Sequence, residues 1–409
     1  GFARKIVAIR RRVARHSQTV AGIGRLCVEI LAVKDPENIR EVSMKVLILS
    51  CNTGQGHNAA GQALYDEFRA RGVECAFLDA LSLSNDAVSN AISGAYVATV
   101  QKAPHLFGGL YKVGDKISSD RHKSPIYLMN IAQTGALKEY IALHGITTVV
   151  TPHLFPAEML THLRRRHALE AKCFSVATDY TCIPFWEETE MDGYIVPHED
   201  LLYEYVERGL PVELLLPLGI PASERFSQPM RTQEARDLLG LPQDQPIFLV
   251  MTGSMGYGGA ARIARDLAAQ MESALVLVLA GRNAQLKGAI DSLRHPRIRA
   301  IAFTDQVPAY MRAADVVLTK PGGLSSTEAA VRNVPLVLTD PIPGCETKNA
   351  AFFKSHGMAR LARSENAAAC AISLAKDAVA IEAMLAAQRK TIHAHAARDS
   401  VDSILARGE

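Results

Sequence analysis

From residue 44 onward, short apolar runs rich in β-branched residues alternate with stretches whose apolar positions recur every three or four residues. The runs read as strands: Val46–Ser50, Val73–Leu78, Thr147–Thr151, Cys173–Ala177 and Tyr194–Val196, then Ile247–Thr252, Leu275–Leu279, Arg299–Ala302, Val316–Thr319 and Leu336–Thr339. The stretches between them, such as Ala59–Arg71 and Ala260–Glu272, carry the helical period, and the Ala-rich C-terminal tail reads as helix. Alternation of this kind winds parallel sheets from βαβ units. Pro211, Pro217, Pro221 and Pro229 interrupt the series and mark a domain edge. The pattern predicts an α/β protein of two doubly wound domains, 44–222 and 223–409. A cleft is expected between them, with ligands outside the carboxyl ends of the strands.

Composition narrows the class. The chain has 409 residues, 48% hydrophobic and 21% charged, enough for two sizeable cores and incompatible with disorder throughout. Its longest apolar runs, such as Ala274–Ala280, fall far short of the ~18 residues of a spanning helix. A net charge of +3 gives no sign of a nucleic-acid partner. Residues 1–43 stand apart, with nine basic residues against four acidic ones. They are expected to be a basic leader. It is either sequence foreign to a native domain starting near Met44, or an amphipathic helix on anionic lipid, with Arg10-Arg11-Arg12 beside Ile6, Val7, Ile9 and Val13. Seven scattered cysteines without a C-x-x-C pair argue against a disulfide framework or zinc site and for a reducing cytoplasm.

Four segments carry candidate chemistry. Ser50-Cys-Asn-Thr-Gly54-Gln-Gly56-His57-Asn58-Ala59-Ala60 joins the first strand to its helix. Its glycines permit a tight turn, and the helix start offers free N–H groups. Gly54-x-Gly56-x-x-Ala59, with Asp79 downstream, also fits a dinucleotide fingerprint, so a nicotinamide dehydrogenase is a rival. His57 after the second glycine favours a proton acceptor facing the cleft. Thr252-Gly253-Ser254-Met255-Gly256-Tyr257-Gly258-Gly259 repeats the strand–turn–helix arrangement in the second half as an anion-binding loop. In Thr319-Lys320-Pro321-Gly322-Gly323-Leu324-Ser325-Ser326-Thr327-Glu328, the glycines and Ser325 and Ser326 suit a diphosphate, and Glu328 suits a ribose diol. Asp340-Pro-Ile-Pro-Gly344-Cys345-Glu346-Thr347-Lys348-Asn349 is a stiff loop opening a helix, with Glu346 and Asn349 facing polar ligand groups.

The third and fourth segments, with Gly281-Arg282-Asn283 and Phe303-Thr304-Asp305, resemble glycosyltransferase family 28. Thr53–Ala60, Asp179-Tyr180 followed by Trp186, and Leu218-Gly219-Ile220-Pro221 are similar to the branch of monogalactosyldiacylglycerol synthases and processive diacylglycerol glucosyltransferases. The resemblance spans roughly residues 44 to 375. It implies a GT-B fold of two Rossmann-like domains, the second binding a UDP-hexose and the first a lipid acceptor such as diacylglycerol. It implies that Glu328 holds the uridine ribose and that Phe303 and Thr304 flank the uracil. Ser254, Gly322 and Gly323 would lie near the diphosphate, Gly253, Met255, Gly256, Arg282, Asn283, Pro321, Ser325, Ser326 and Asn349 also lining the donor side. Glu346 would touch the sugar. His57 would be the base, assisted by Asp179, with Gly54, Gly56 and Trp186 on the acceptor side. Cys345 stands where many relatives carry Gln, so the donor sugar is left open.

The expected reaction is an inverting, metal-independent transfer, because no D-x-D motif is present and helix N-termini can stabilise the departing UDP. UDP-sugar is then a co-substrate, and no cofactor is expected. The basic run Arg164-Arg165-Arg166 and the mixed segment His105–Lys123 are expected to dock on an anionic membrane surface at its cytoplasmic face. Within the same fold, a polyprenol-lipid N-acetylglucosaminyltransferase, a UDP-N-acetylglucosamine epimerase and a non-catalytic nucleotide-sugar sensor are the alternatives.

Overall fold

The structure is a computed structural model describing residues 44–51, 55–83, 134–251 and 259–408. The leader, the segment His105–Lys123, Gly54 and the loop carrying Gly253, Ser254, Met255 and Gly256 lie outside these residues.

Two parallel six-stranded sheets form the frame. The first has β1 (Lys45–Ser50), β2 (Glu74–Asp79), β3 (Thr148–Thr151), β4 (Lys172–Val176), β5 (Gly193–Ile195) and β6 (Leu215–Leu216) in the order β2-β1-β3-β4-β5-β6. The second has β7 (Ile247–Met251), β8 (Leu275–Gly281), β9 (Ile298–Ala302), β10 (Val316–Thr319), β11 (Leu336–Thr339) and β12 (Arg360–Ala362) in the order β12-β11-β10-β7-β8-β9. The strands are apolar on both faces because helices cover both: Val46 to Leu49 and Ile247 to Val250 are all at most 2% exposed. The order reverses beside β1 and beside β7, which opens a crevice at the carboxyl end of each sheet.

Helices α1 (Gln55–Ala70), α2 (Leu154–Arg165), α3 (Ala260–Gln270), α4 (Gly323–Val331) and α5 (Cys345–Ser355) surround the two crevices. Helix α1 buries Ala60, Gly61, Ala63, Leu64 and Phe68 on the first sheet. It lies so close that a methyl at Gly61 would sit 3.0 Å from the Phe77 ring and 3.1 Å from Ile48. The last helix, α6 (Ala396–Gly408), follows the second sheet in sequence but packs against the first. Its Val401 and Ile404 join Val46, Ile48, Leu64 and Phe68 in one core, and Asp402 pairs with Arg71 at 2.7 Å. The apolar stripe of α6 thus lies beside α1 on the same face of the first sheet, a contact that strand and helix periodicity do not encode. Among the described residues, no helix is long and apolar enough to cross a membrane.

Candidate active site

The candidate reacting groups gather where the carboxyl ends of the two sheets meet. Helix α1 starts at Gln55, four residues earlier than the sequence pattern suggests, so His57 stands in its first turn and not in the preceding loop. His57 Nδ1 lies 2.9 Å from the Pro152 carbonyl and 3.0 Å from Thr178 Oγ1. A carbonyl only accepts, so Nδ1 carries the hydrogen and Nε2 keeps the lone pair. The ring also meets His153 edge-on at 4.6 Å, and His153 is itself fixed by accepting from the Phe155 N–H at the start of α2. Burial holds the His57 pKa below the ordinary value, although the Asp179 charge and the bond to Pro152 pull it up. The imidazole is therefore a neutral base with a carboxylate close enough to stabilise its protonated form. Burial pushes Asp179 up from the usual carboxylate range; its bond from Asn349 and the His57 charge oppose that, and Glu346 adds to it.

Asn349 ties this pair to the second half. The side chain is fully buried. Its Oδ1 accepts from the Tyr180 N–H at 2.7 Å, and its Nδ2 donates to Asp179 Oδ1 at 2.8 Å and to the Pro321 carbonyl at 3.0 Å. Both amide hydrogens are spent on protein, so Asn349 bridges the halves, where the sequence reading placed it against the donor. The Tyr180 ring stacks on Phe352 at 4.6 Å, and its hydroxyl meets Thr327 Oγ1 at 2.7 Å. At Gly323, the first residue of α4, a Cβ would stand 1.9 Å from the Thr178 carbonyl oxygen. Only glycine lets the start of α4 approach the end of β4 this closely.

The second half presents less committed groups. A pocket lined by Val250, Gly259, Ala260, Lys320, Asp340 and Ile342, among others, opens at the carboxyl ends of β7, β10 and β11 and at the start of α3. Helix α4 opens at Gly323 behind the cap residue Gly322, whose own N–H is given to the Lys320 carbonyl at 2.8 Å, so the N–H groups a helix start leaves over begin at Gly323. Glu328, on the second turn of α4, has no hydrogen-bond partner for its carboxylate among the described residues, and burial pushes its carboxyl up to about 8. The Ser326 hydroxyl is buried and equally without a partner among them. Ser325 is partly exposed, and Pro321 is buried. Glu346 is held by Lys320 Nζ at 2.8 Å and by the Ile342 N–H at 2.9 Å. Cys345 lies beside Asp179, and burial pushes its thiol up to about 12, so it stays a weakly bonding thiol. The Arg282 guanidinium lies 4.6 Å over the Phe303 ring, which is 64% exposed, and forms a rim. Asn283 accepts from the Leu286 N–H as a helix cap, and Thr304 accepts from the Gln306 N–H.

Other expected site residues lie differently. Trp186 is 3% exposed and packs edge-on against Tyr194, so it belongs to the core of the first half and not to an acceptor loop. Gly56 lies in α1 with Leu324 of α4 facing it. In the basic run, Arg164 makes a two-pronged pair with Asp192, and Arg165 pairs with Glu190 at 2.7 Å. Only Arg166 of the three is exposed and makes no ion pair among the described residues. The sequence reading also missed a group formed by His198, Asp200 and His356, whose ligating atoms lie within 4.8 Å of one another. Positions so far apart in the chain carry no spacing signal.

Comparison with known proteins bears on this geometry. Residues 57–222 match the family model for monogalactosyldiacylglycerol (MGDG) synthase, and residues 247–403 match the glycosyltransferase family 28 C-terminal domain. A processive diacylglycerol beta-glucosyltransferase of Bacillus pumilus is 28% identical over 345 residues, covering 83% of this chain and 89% of the relative. Among solved structures, the glycotransferase of kitacinnamycin superposes with a TM-score of 0.60 at 14% identity, covering 90% of this chain and 99% of that one. The S. aureus MnaA–UDP structure superposes at 0.57 with 12% identity, covering 88% and 95%. At these identities the likeness to solved structures is one of fold.

Proposed function

The chain belongs to glycosyltransferase family 28 with a GT-B fold, and on that premise we propose that it moves a hexose from a UDP-sugar to diacylglycerol with inversion. The observation that carries the reading is the His57–Asp179 pair, set where the two sheets meet and fixed from both sides. His57 Nε2 takes the proton of the acceptor hydroxyl as it attacks the anomeric carbon, and Asp179 stabilises the imidazolium. The C1–O bond to UDP breaks on the opposite face, giving a β-glycoside from an α-linked donor. Glu328 accepts hydrogen bonds from the ribose diol, which suits a partly buried carboxylate that the described residues leave unbonded. The start of α4 at Gly323 faces the departing diphosphate with its dipole and the N–H groups of its first turn, Gly322 lying beside them. No cofactor or metal is invoked for this step.

The relatives' name supports both the lipid acceptor and a β product, and a UDP complex within the same fold supports the nucleotide. The acceptor side faces an anionic membrane surface at the cytoplasmic side, with residues 44–222 as the acceptor domain and 223–409 as the donor domain. With Cys345 at this position, glucose, galactose and N-acetylglucosamine are the donor sugars to be compared. The test is UDP release by the purified chain on anionic vesicles, from UDP-glucose, UDP-galactose and UDP-N-acetylglucosamine, with and without diacylglycerol. Release that requires diacylglycerol and disappears in His57→Ala supports the reading. Release dependent only on a polyprenol-linked acceptor, or none in the wild type, refutes it.

A further inference from the structure

Lys320 follows β10 directly and lies three residues before the start of α4. Its side chain is mostly buried. It is the one basic group among the described residues that line the pocket at the carboxyl ends of β7, β10 and β11. Nζ donates to Glu346 Oε1 at 2.8 Å, and Glu346 is itself fixed, because its Oε2 accepts from the Ile342 N–H at 2.9 Å. An ammonium has three N–H donors. The other two of Lys320 meet no acceptor among the described residues. The charge is therefore held in place with two donors unspent beside the pocket.

The surroundings call for that charge. Asp340 lines the same pocket but spends its carboxylate on the Ser364 N–H at 3.0 Å and on the Ser364 hydroxyl. Glu346 and Asp179 lie within electrostatic reach of each other. The segment 252–258, which joins β7 to α3, has no basic residue. A UDP-sugar brings two negative charges to such a site. A third develops on the β-phosphate as the C1–O bond breaks and its electron pair passes to the phosphate oxygen. A helix start supplies about half a charge, so those of α3 and α4 together do not balance it. The Lys320 ammonium, close to both, supplies the missing charge without a metal.

On the reading that the chain transfers a hexose from a UDP-sugar, we propose that Lys320 is a further catalytic residue. Its two unspent N–H groups bind the donor diphosphate and stabilise the charge that grows on the β-phosphate as UDP departs. The proton of the acceptor hydroxyl goes to His57, and the electron pair of the C1–O bond leaves with UDP.

Calorimetry on the full chain with uridine and with UDP separates the diphosphate from the nucleoside. The wild type should bind UDP far more tightly than uridine. Lys320→Met should lower UDP affinity by ~10–100-fold, the worth of hydrogen bonds from a charged group. Its uridine affinity should stay within twofold of the wild type, which also shows that the second half is folded. At saturating donor, its turnover should fall by at least ~10²-fold. Lys320→Arg should restore part of both losses. Lys354→Met, which removes an exposed charge from the last turn of α5, should change neither affinity. A wild type that binds UDP no more tightly than uridine overturns the proposal and the glycosyl-transfer reading with it. A wild type that prefers UDP, beside a Lys320→Met chain that keeps the whole preference, leaves that reading standing and sinks the role of Lys320. Equal losses of uridine and UDP affinity that Lys320→Arg does not repair also overturn it, since the side chain would then only support the fold.

Discussion

The two halves contribute groups in opposite states. In the first, His57, Thr178 and Asp179 are already bonded: the imidazole is anchored at Nδ1, and the carboxylate is held by Asn349. In the second, Glu328 and Ser326 lack partners among the described residues, and the start of α4 offers unspent N–H groups. Groups that move a proton gain from fixed geometry, because orientation must be in place when charge develops. Groups that bind a ligand must be left unsatisfied until it arrives, at a cost in folding that binding recovers. The contrast fits the proposed reaction, with chemistry in the first half and recognition in the second.

The sharpest way to break this division is at His57. His57→Ala should lower turnover by ~10²–10⁴-fold, the usual contribution of a positioned base, while UDP affinity changes less than twofold. Turnover measured with saturating donor, beside calorimetry with UDP, separates the two. A large loss of UDP affinity would place His57 in recognition and dissolve the contrast.

Gly323 tests whether the halves must touch. A methyl there would meet the Thr178 carbonyl at 1.9 Å, so Gly323→Ala has to push α4 away from His57 and Asp179. A displacement near 1 Å costs about 100-fold in rate. Turnover should fall by that order with the second half's fold retained, read by circular dichroism and UDP binding. Unchanged turnover would mean that catalysis does not use this approach.

Glu328 gives a test on the binding side. Its carboxyl, pushed up to about 8, is mostly protonated at pH 7 in the free protein. The ribose diol donates to the ionised form, so binding expels a proton. UDP affinity should rise about tenfold from pH 6 to pH 7 and level off above about 8. Glu328→Gln should abolish the slope. The same shift works on stability in the opposite direction. A carboxyl raised on folding contributes most below its unfolded value near 4.5, and that contribution is lost as pH rises through about 8. Thermal unfolding of Glu328→Gln should therefore depend less on pH over that window.

What the sequence disclosed follows from which forces are local. Strands buried on both faces write themselves as unbroken apolar runs, so β1, β7, β10 and β11 stand out, while the two-residue β6 and the three-residue β12 are too short for a pattern. The glycines before His57 read as loop because glycine disfavours helix interiors; in the first turn that cost is small, and α1 begins at Gln55. His57, Asp179 and Glu328 are readable in the sequence as candidate residue types beside strand ends and helix starts, because those places are set by local pattern. The roles of Asn349 and Trp186 were not, because a bridge between halves and a buried ring depend on contacts between distant segments. The His198, Asp200 and His356 group was hidden for the same reason.

The smallest expected effect concerns the basic run at the end of α2, where pattern and structure disagree most. Three consecutive arginines suggest a docking patch worth ~1 kcal/mol per charge. Asp192 and Glu190 already answer Arg164 and Arg165, so their charges do not add to a field reaching outward. Arg166 alone is exposed and without an ion pair among the described residues. Arg166→Ala should weaken binding to anionic vesicles by about fivefold, the equivalent of one such contact. Arg165→Ala should do less, since it frees Glu190 while removing a charge already neutralised. Arg164→Ala should act on stability instead, because Asp192 would keep only its bond to the Cys173 N–H and lose its cation. Vesicle sedimentation with thermal unfolding distinguishes these outcomes. Equal losses of vesicle binding from all three would show that the pairs open at the membrane and that the run acts as one patch.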